Sequence, residues 1–131
     1  MTVYIYMASK EFQKTIKESE MGLRHCFVDE HGNVWRSDTL IKAAEAIPAE
    51  PFPVQDELLE EVLRWKIRNV RDFIVHYKRV QVADCSIPII LRSDGYPMDG
   101  RHRIIKAMME GLELSAKRFK VDPKPDFESV V

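Results

Sequence analysis

The sequence predicts an α+β fold, with helices flanking a mixed β-sheet in a single compact domain. Residues 87–91, Ile-Pro-Ile-Ile-Leu, are a continuous apolar run whose length is typical of a buried strand. Between Leu59 and Tyr77, apolar side chains instead recur every three or four positions, as they do on one face of a helix. The chain has 131 residues, 45% of them hydrophobic, which favours one hydrophobic core and one domain (residues 1–131).

Residues 1–48 are predicted to form an N-terminal extension or subdomain made of a helix, a hairpin and a second helix. Asp29-Glu-His-Gly32 separates the two hairpin strands, because Asp and Gly are common in turns. Ser37 or Asp38 is expected to cap the second helix, since either side chain offers an oxygen that accepts from first-turn amides. In chain order, the elements are a helix over 10–19, strands over 24–28 and 33–36, and a helix that ends at 46.

Residues 50–121 are predicted to form the core of the fold. Asn69, with Asp72 three positions later, is a helix-capping pattern, so the long helical pattern is expected to break near Arg68. Gly111 is expected to end the last helix, because glycine readily adopts the backbone conformation that terminates helices. The other elements are an extended segment over 51–54, strands over 87–91, 96–98 and 112–121, and a helix over 104–109.

Charge is distributed unevenly along the chain, although the formal net charge is only −1. Residues 64–80 have a local charge of +5 and residues 101–120 one of +4, whereas residues 50–63 contain five acidic and no basic side chains. A chain so close to neutral lacks the basic excess with which proteins neutralise many DNA phosphates. The composition therefore disfavours a broad nucleic-acid interface and leaves room for one concentrated anion site.

The cysteines and the start of the chain indicate where the protein resides. Cys26 and Cys85 have neither the spacing of zinc ligands nor a disulfide framework around them, which favours a reducing, cytoplasmic location. Residues 1–8 are apolar but have no basic flank and are too short for a signal peptide or a membrane span. We therefore expect a cytoplasmic protein without a membrane partner.

Asp99-Gly-Arg-His-Arg103 opens a predicted helix and combines several features that attract an anion. First-turn amides and the positive end of the helix dipole favour negative charge, and Gly100 has no side chain to keep an anion from the backbone. Arg101, His102 and Arg103 add donors suited to phosphate oxygens. Each cation at the positive end of a helix costs roughly a few tenths of a kcal/mol. The pattern therefore predicts a phosphate or carboxylate pocket at residues 99–103.

A structural interpretation of the same residues remains open, in which Asp99 caps the helix, the arginines pair with nearby acids and His102 lies at the surface. Two residues outside the motif are possible additional members of the site. Arg79 is expected near the end of a helix from which it reaches the phosphates, although basic residues are favoured at helix C-termini in any case. Asp84 is a possible second acid, although Asp is also common in turns.

Three short motifs follow one another between residues 88 and 111: a strand, a turn with glycine and a charged helix start. They are Pro88-Ile-Ile-Leu91, Asp94-Gly95 and Met98-Asp-Gly-Arg-His-Arg103, with Ala107 and Gly111 in the helix that follows. This order resembles the core of the ParB and sulfiredoxin superfamily, in which a Gly-x-His-Arg or Gly-x-Arg-Arg signature opens a helix ending at Gly. The resemblance covers residues 76–120 and, more loosely, 50–120. It implies a ParB/sulfiredoxin-like fold.

In that superfamily the signature holds nucleotide phosphates: CTP in partition proteins, ATP in sulfiredoxin and ADP in free-serine kinases. The resemblance implies that Gly100, His102 and Arg103 bind phosphates here, beside Arg101, and that Asp99 is a proton acceptor or a ligand of Mg²⁺. Asp99 and His102 are then the candidate catalytic residues of a phosphotransferase or NTPase. Sulfiredoxin reductase chemistry is excluded, because Arg101 stands where that enzyme has its catalytic cysteine.

Two other functions remain open. A ParB-like DNA-associated protein, either a nuclease or a partition accessory factor, would use residues 64–80 and 101–120 as one basic patch. Partition proteins, however, carry a DNA-binding domain after this core, and only ten residues follow residue 121. A non-catalytic regulatory protein would use the pocket to sense a small anion. A nucleotide or another small phosphorylated ligand is the expected partner.

Overall fold

The computed structural model describes residues 26–61 and 67–129. The helix predicted over residues 10–19 lies outside these ranges, as do residues 62–66 of the predicted long helical pattern. The elements in chain order are β1 (Cys26–Val28), β2 (Val34–Arg36), α1 (Ser37–Ala43), β3 (Glu50–Phe52), α2 (Glu57–Glu61), α3 (Val70–Val82), β4 (Ile89–Leu91), β5 (Pro97–Asp99), α4 (Arg101–Glu110) and β6 (Leu114–Arg118).

The central sheet has four strands in the order β3-β6-β4-β5. Strand β6 runs parallel to β4, with Ile90 opposite Lys117, and antiparallel to β3, with Glu50 opposite Ala116. Strand β5 returns antiparallel to β4. A mixed sheet combined with helices confirms the predicted α+β class.

The predicted hairpin is confirmed as a separate two-stranded sheet in which Phe27 of β1 lies opposite Trp35 of β2. Asp29 shapes its turn, because its Oδ1 accepts from the amides of His31 and Asn33 at 2.9 and 2.8 Å. Gly32 is the last residue of the turn, and its φ of +85° is in the left-handed region that favours glycine.

Helix α1 begins at Ser37, one of the two residues predicted to cap it, and it ends at Ala43 rather than at residue 46. The amides of Glu45 and Ile47 bond three residues back, to Lys42 and Ala44, so the chain tightens into turns. Lys117 Nζ on β6 donates to the carbonyl oxygens of Ala44 and Glu45 at 3.3 and 3.4 Å. The predicted side-chain cap is wrong, since no side chain caps the start of α1.

The break predicted near Arg68 is confirmed, because helix α3 begins at Val70 with Asn69 as its N-terminal cap. The Asn69 side-chain oxygen accepts from the Asp72 amide at 2.9 Å. Asp72 in turn accepts from the Arg68 amide at 3.1 Å. Asn69 thus occupies a donor that the first turn of a helix would otherwise leave without a partner, and Asp72 binds the amide that precedes the cap.

The predicted strands of the second half exist, but β4 and β6 are shorter than expected and β5 covers Pro97–Asp99 rather than residues 96–98. Strand β4 begins at Ile89 rather than at residue 87, because the carbonyl oxygens of Ile87 and Pro88 accept from Arg103 instead of from a neighbouring strand. Strand β6 covers five residues within the predicted 112–121. Helix α4 ends as predicted at Gly111, which has φ +68° and lies beside open space.

The sheet is covered on both faces, since alternate residues of β4 point to opposite sides. Ile90 points to the face that is covered by β1, β2 and α1. The cluster on this face also contains Phe27, Trp35, Leu40, Ala44, Met98 and Phe119. Ile89 and Leu91 pack in the other with α4 and β6, through Ile104, Ala107, Leu114 and Ala116. The hairpin and α1, which the sequence assigned to an extension, therefore share a core with the central sheet. None of the helices in the described ranges has the length and apolar character needed to cross a bilayer.

Candidate anion-binding site

The loop between β5 and α4 consists of Gly100, whose backbone has the left-handed φ of +108°. A Cβ atom at this position would lie 2.5 Å from Ile89 Cγ2 and 3.1 Å from Arg103 Nη2. The absence of a side chain is therefore required by the close approach of α4 to β4 and by the backbone conformation. The anion access predicted for Gly100 is an additional role that these contacts do not test.

Arg103 is the most extensively bonded residue of the motif. Its Nη2 donates to Asp99 Oδ2 at 2.7 Å, and its Nη1 donates to the carbonyl oxygens of Pro88 and Ile87 at 2.7 and 3.0 Å. Both side chains of the ion pair are largely buried, with 13% of Arg103 and 16% of Asp99 exposed. Asp99 thus neutralises one of the cations that the sequence pattern left unbalanced, and Arg103 joins α4 to β4 and β5.

Arg101, in the first turn of α4, lies against an aromatic ring rather than a carboxylate. Its Nη2 is 3.4 Å from the Tyr96 hydroxyl, and its guanidinium carbon is 5.8 Å from the ring centroid. No acidic residue lies in the first turn of α4, and no side chain caps its start. Arg101 therefore adds positive charge where the helix dipole is also positive.

His102 is in contact with a second histidine, His76 on α3. His76 Nδ1 and His102 Nε2 are 3.1 Å apart, and the two rings stack at 5.4 Å between centroids with 23° between their planes. One of the two facing nitrogens carries the proton of this hydrogen bond and the other accepts it. The contact brings α3 against the start of α4. The spacing of the two histidines, 26 positions apart, offered no signal of this pairing.

Arg79, the possible additional residue of the sequence analysis, lies one turn after His76 on α3. Its Nε atom is buried and lacks a hydrogen-bond partner among residues 26–61 and 67–129. Burial lowers the pKa of the guanidinium because charge is less well solvated there. Buried polar atoms in folded proteins are nearly always hydrogen-bonded. The Arg79 side chain thus offers a donor that no described residue uses, at the wall of the cavities described next.

Two cavities meet at the start of α4, with volumes of about 470 and 320 Å³. Both are lined by Arg79, Asp99, Gly100 and His102. The larger cavity extends along an apolar wall and reaches Lys117 on β6. That wall is formed by Ile41, Ala44, Val82, Ile87, Pro88 and Ile90. The smaller cavity extends past Arg101 to the hairpin.

Asp84 lines the larger cavity, but its hydrogen bonds are those of a turn. Its Oδ1 accepts from the Ser86 hydroxyl at 2.6 Å and from the Ser86 amide at 3.0 Å. These bonds lower the pKa of the Asp84 carboxyl, the hydroxyl bond most of all. The geometry accounts for Asp84 without a role in the site, as the structural alternative proposed.

The side chains at the start of α4 do not form a ligand set for Mg²⁺, which prefers an octahedral shell of oxygen atoms. Asp99 is the one carboxylate that lines both cavities, and its Oδ2 is bound by Arg103. Within the described parts of the chain, no group of three His, Cys, Asp or Glu residues is arranged to hold a metal ion. The predicted metal-ligand role of Asp99 is therefore not supported by its surroundings.

The structure brings together the motif residues Asp99 to Arg103 and Arg79, which the sequence placed near one another only as an expectation. It adds Lys117 and Ile41, which no local signal indicated because they lie in other elements. Comparison of the chain with protein-family models, with curated proteins and with solved structures found no match. The resemblance to the ParB and sulfiredoxin superfamily therefore stays a prediction based on the residues of the motif.

Proposed function

We propose that this protein binds a nucleotide whose phosphates lie at the start of α4, between Arg79 and Arg101. The observation that carries the proposal is Arg79, whose side chain lines both cavities and whose buried Nε has no hydrogen-bond partner among the described residues. A phosphate oxygen in the cavities would give the Arg79 guanidinium an acceptor, and guanidinium groups bind phosphate through several donors at once.

The balance of charge supports an anion at this position. Asp99 and Arg103 neutralise each other, which leaves Arg79, Arg101 and the positive end of α4 around the place where the two cavities meet. A phosphate group there would offset the mutual repulsion of these charges.

The shape of the larger cavity supports a nucleotide in preference to free phosphate. Its volume of about 470 Å³ is within the range of roughly 300–1,000 Å³ that is common for small-molecule sites. Its lining combines the basic side chains of Arg79, Arg103 and Lys117 with a largely apolar wall, which includes Ile41, Val82 and Ile87. This arrangement suits a ligand with a charged end and a flat, weakly polar body.

If the bound nucleotide undergoes phosphoryl transfer or hydrolysis, His102 suits proton transfer better than Asp99 does. The Asp99 carboxylate is held by the guanidinium of Arg103. His102 is hydrogen-bonded to another imidazole, and imidazoles gain and lose protons near neutral pH. Of the two predicted catalytic residues, we therefore assign the proton-transfer role to His102 and a positioning role to Asp99.

The experiment is titration of the protein with ATP, ADP and CTP by calorimetry and by thermal unfolding, together with an assay for nucleotide hydrolysis. We expect at least one nucleotide to raise the melting temperature, because a ligand at 100 times its Kd stabilises the folded state by about 2.7 kcal/mol. Arg79→Met keeps much of the side chain's length and removes its charge, and we expect it to weaken binding at least tenfold.

The matched control is Arg71→Met on the same helix, two turns from Arg79 and outside the walls of both cavities. It removes the same charge from α3 and is expected to leave nucleotide affinity unchanged. The proposal is wrong if no nucleotide binds at millimolar concentration, or if the two variants weaken binding equally.

A further inference from the structure

The hydrogen bond between His76 and His102 limits how many protons the two rings hold together. Their facing nitrogens are 3.1 Å apart, so one donates and the other accepts. If both rings were fully protonated, each facing nitrogen would carry a hydrogen and the contact would be repulsive. The pair therefore exists either neutral or with one additional proton.

The charged groups around the pair come from four elements. Among the described residues, Arg79 and Asp72 lie on α3, Arg101 and Arg103 on α4 and Asp99 on β5, and β1 adds the titratable thiol of Cys26. Asp72 is engaged mainly by the Arg68 amide and side chain, which with the nearby His76 lower the pKa of its carboxyl. Asp99 is engaged by Arg103. Arg79, Arg101 and the positive end of α4 thus oppose an additional proton on the histidines.

An anion at the start of α4 reverses this balance, because it lies beside the same histidine pair and attracts a proton to it. We propose that anion binding is coupled to the uptake of one proton by His76 and His102. This inference rests on the proposed function and adds a pH-dependent control of the same site.

The sign of the pH dependence follows from linkage between the two binding events. The anion binds the protonated pair more tightly, so it raises the pKa of the pair. Affinity is highest below the pKa of the ligand-free pair. It falls as pH rises through the interval between the ligand-free and ligand-bound pKa values, and it is constant above both.

The test uses sulfate, because its charge does not change over the range in which histidines titrate, unlike that of phosphate. Calorimetric titrations of the full chain are carried out at several values from about pH 5 to about pH 8. Each is repeated in two buffers with different ionisation enthalpies, which reveals the number of protons taken up. We expect at least about fivefold weaker binding at the upper end, and uptake approaching one proton per sulfate within the interval.

The variant that isolates the histidines is His76→Gln with His102→Gln, since glutamine retains hydrogen-bonding groups but does not titrate. It is expected to bind sulfate with an affinity that is constant over the same pH range and without proton uptake. His31→Gln is the matched control, because His31 lies in the hairpin turn with three quarters of its side chain exposed. It is expected to retain the pH dependence of the unmodified protein.

The proton coupling is wrong if the unmodified protein binds sulfate without proton uptake and with an affinity that does not depend on pH. That result leaves the proposed function in place. Absence of sulfate binding at every pH also overturns the coupling, and the nucleotide titration then decides independently about the proposed function. Because these outcomes concern the unmodified protein, they do not depend on whether the double variant folds.

Discussion

Position 100 sets two requirements that only glycine meets. Its φ of +108° lies where side chains are strongly disfavoured, and a Cβ atom would collide with Ile89 in the core. Arg103, three positions later, is also close to that point. At the scale of single residues, the backbone geometry of the motif is therefore constrained by packing first.

Substitution of Gly100 by Ala is predicted to destabilise the protein by roughly 2–5 kcal/mol, as the sum of backbone strain and overpacking. Gly111→Ala is the matched control, because Gly111 also has a positive φ but nothing lies within 4 Å of its Cβ position. That change is expected to cost about 1 kcal/mol. Denaturant unfolding monitored by circular dichroism measures both, and equal losses would contradict the role assigned to the contact with Ile89.

Arg103 belongs to the scale of secondary-structure elements, because its guanidinium joins three of them. It lies on α4 and donates to the carboxylate of Asp99 at the end of β5. It also donates to carbonyl oxygens of the residues that precede β4. Lys106 makes a similar connection one turn later, where its Nζ donates to the carbonyl oxygens of Gln81 and Ala83 at the end of α3. Two basic side chains of α4 thus connect it to neighbouring elements of the fold.

Arg103→Met is predicted to lower the free energy of unfolding by roughly 3 kcal/mol, because it leaves the largely buried Asp99 carboxylate without its partner. Adding Asp99→Asn should restore part of the loss, since no charge is then left unpaired. Arg68→Met, which removes an ion pair whose arginine is 77% exposed, is the control and is expected to change stability little. A stability of Arg103→Met equal to that of the unmodified protein would show that Arg103 is available to a ligand instead.

At the scale of the whole molecule, the proposed site lies where the layers of helices meet the central sheet. The hairpin and α1 cover one face of the sheet, α4 covers the other, and α3 packs against the start of α4 through the two histidines. Both cavities lie where these layers meet. Arg79, Arg101 and Lys117 bring positive charge to these cavities, whereas the chain as a whole has a net charge of −1.

This distribution predicts that the protein does not bind double-stranded DNA measurably at about 0.15 M salt, since few phosphates can be neutralised at once. Fluorescence anisotropy with a labelled duplex, measured over a series of salt concentrations, provides the check. Saturable binding at that salt concentration, weakening steeply as salt is added, would favour the DNA-associated alternative. Nucleotide binding measured on the same preparation serves as the positive control.

The local patterns of the sequence determined much of the fold. The Asn69 cap, the turn at Asp29 and Gly32, and the end of α4 at Gly111 all depend on residues within a few positions of one another. Strand and helix ends that depend on distant partners were predicted less well. The early end of α1 and the late start of β4 both reflect carbonyl oxygens that accept from side chains of other elements.

For the candidate site, the sequence by itself determined that cations gather at the start of a helix after a glycine. Only the tertiary structure decided how each of them is placed: Arg103 is paired with Asp99, His102 contacts His76, and Arg79, whose Nε is buried, lines both cavities. The physical reason is that a charged or polar side chain takes its role from the groups that pack against it. Those groups come from α3, β4 and β5, whose approach to α4 is set by the burial of apolar residues.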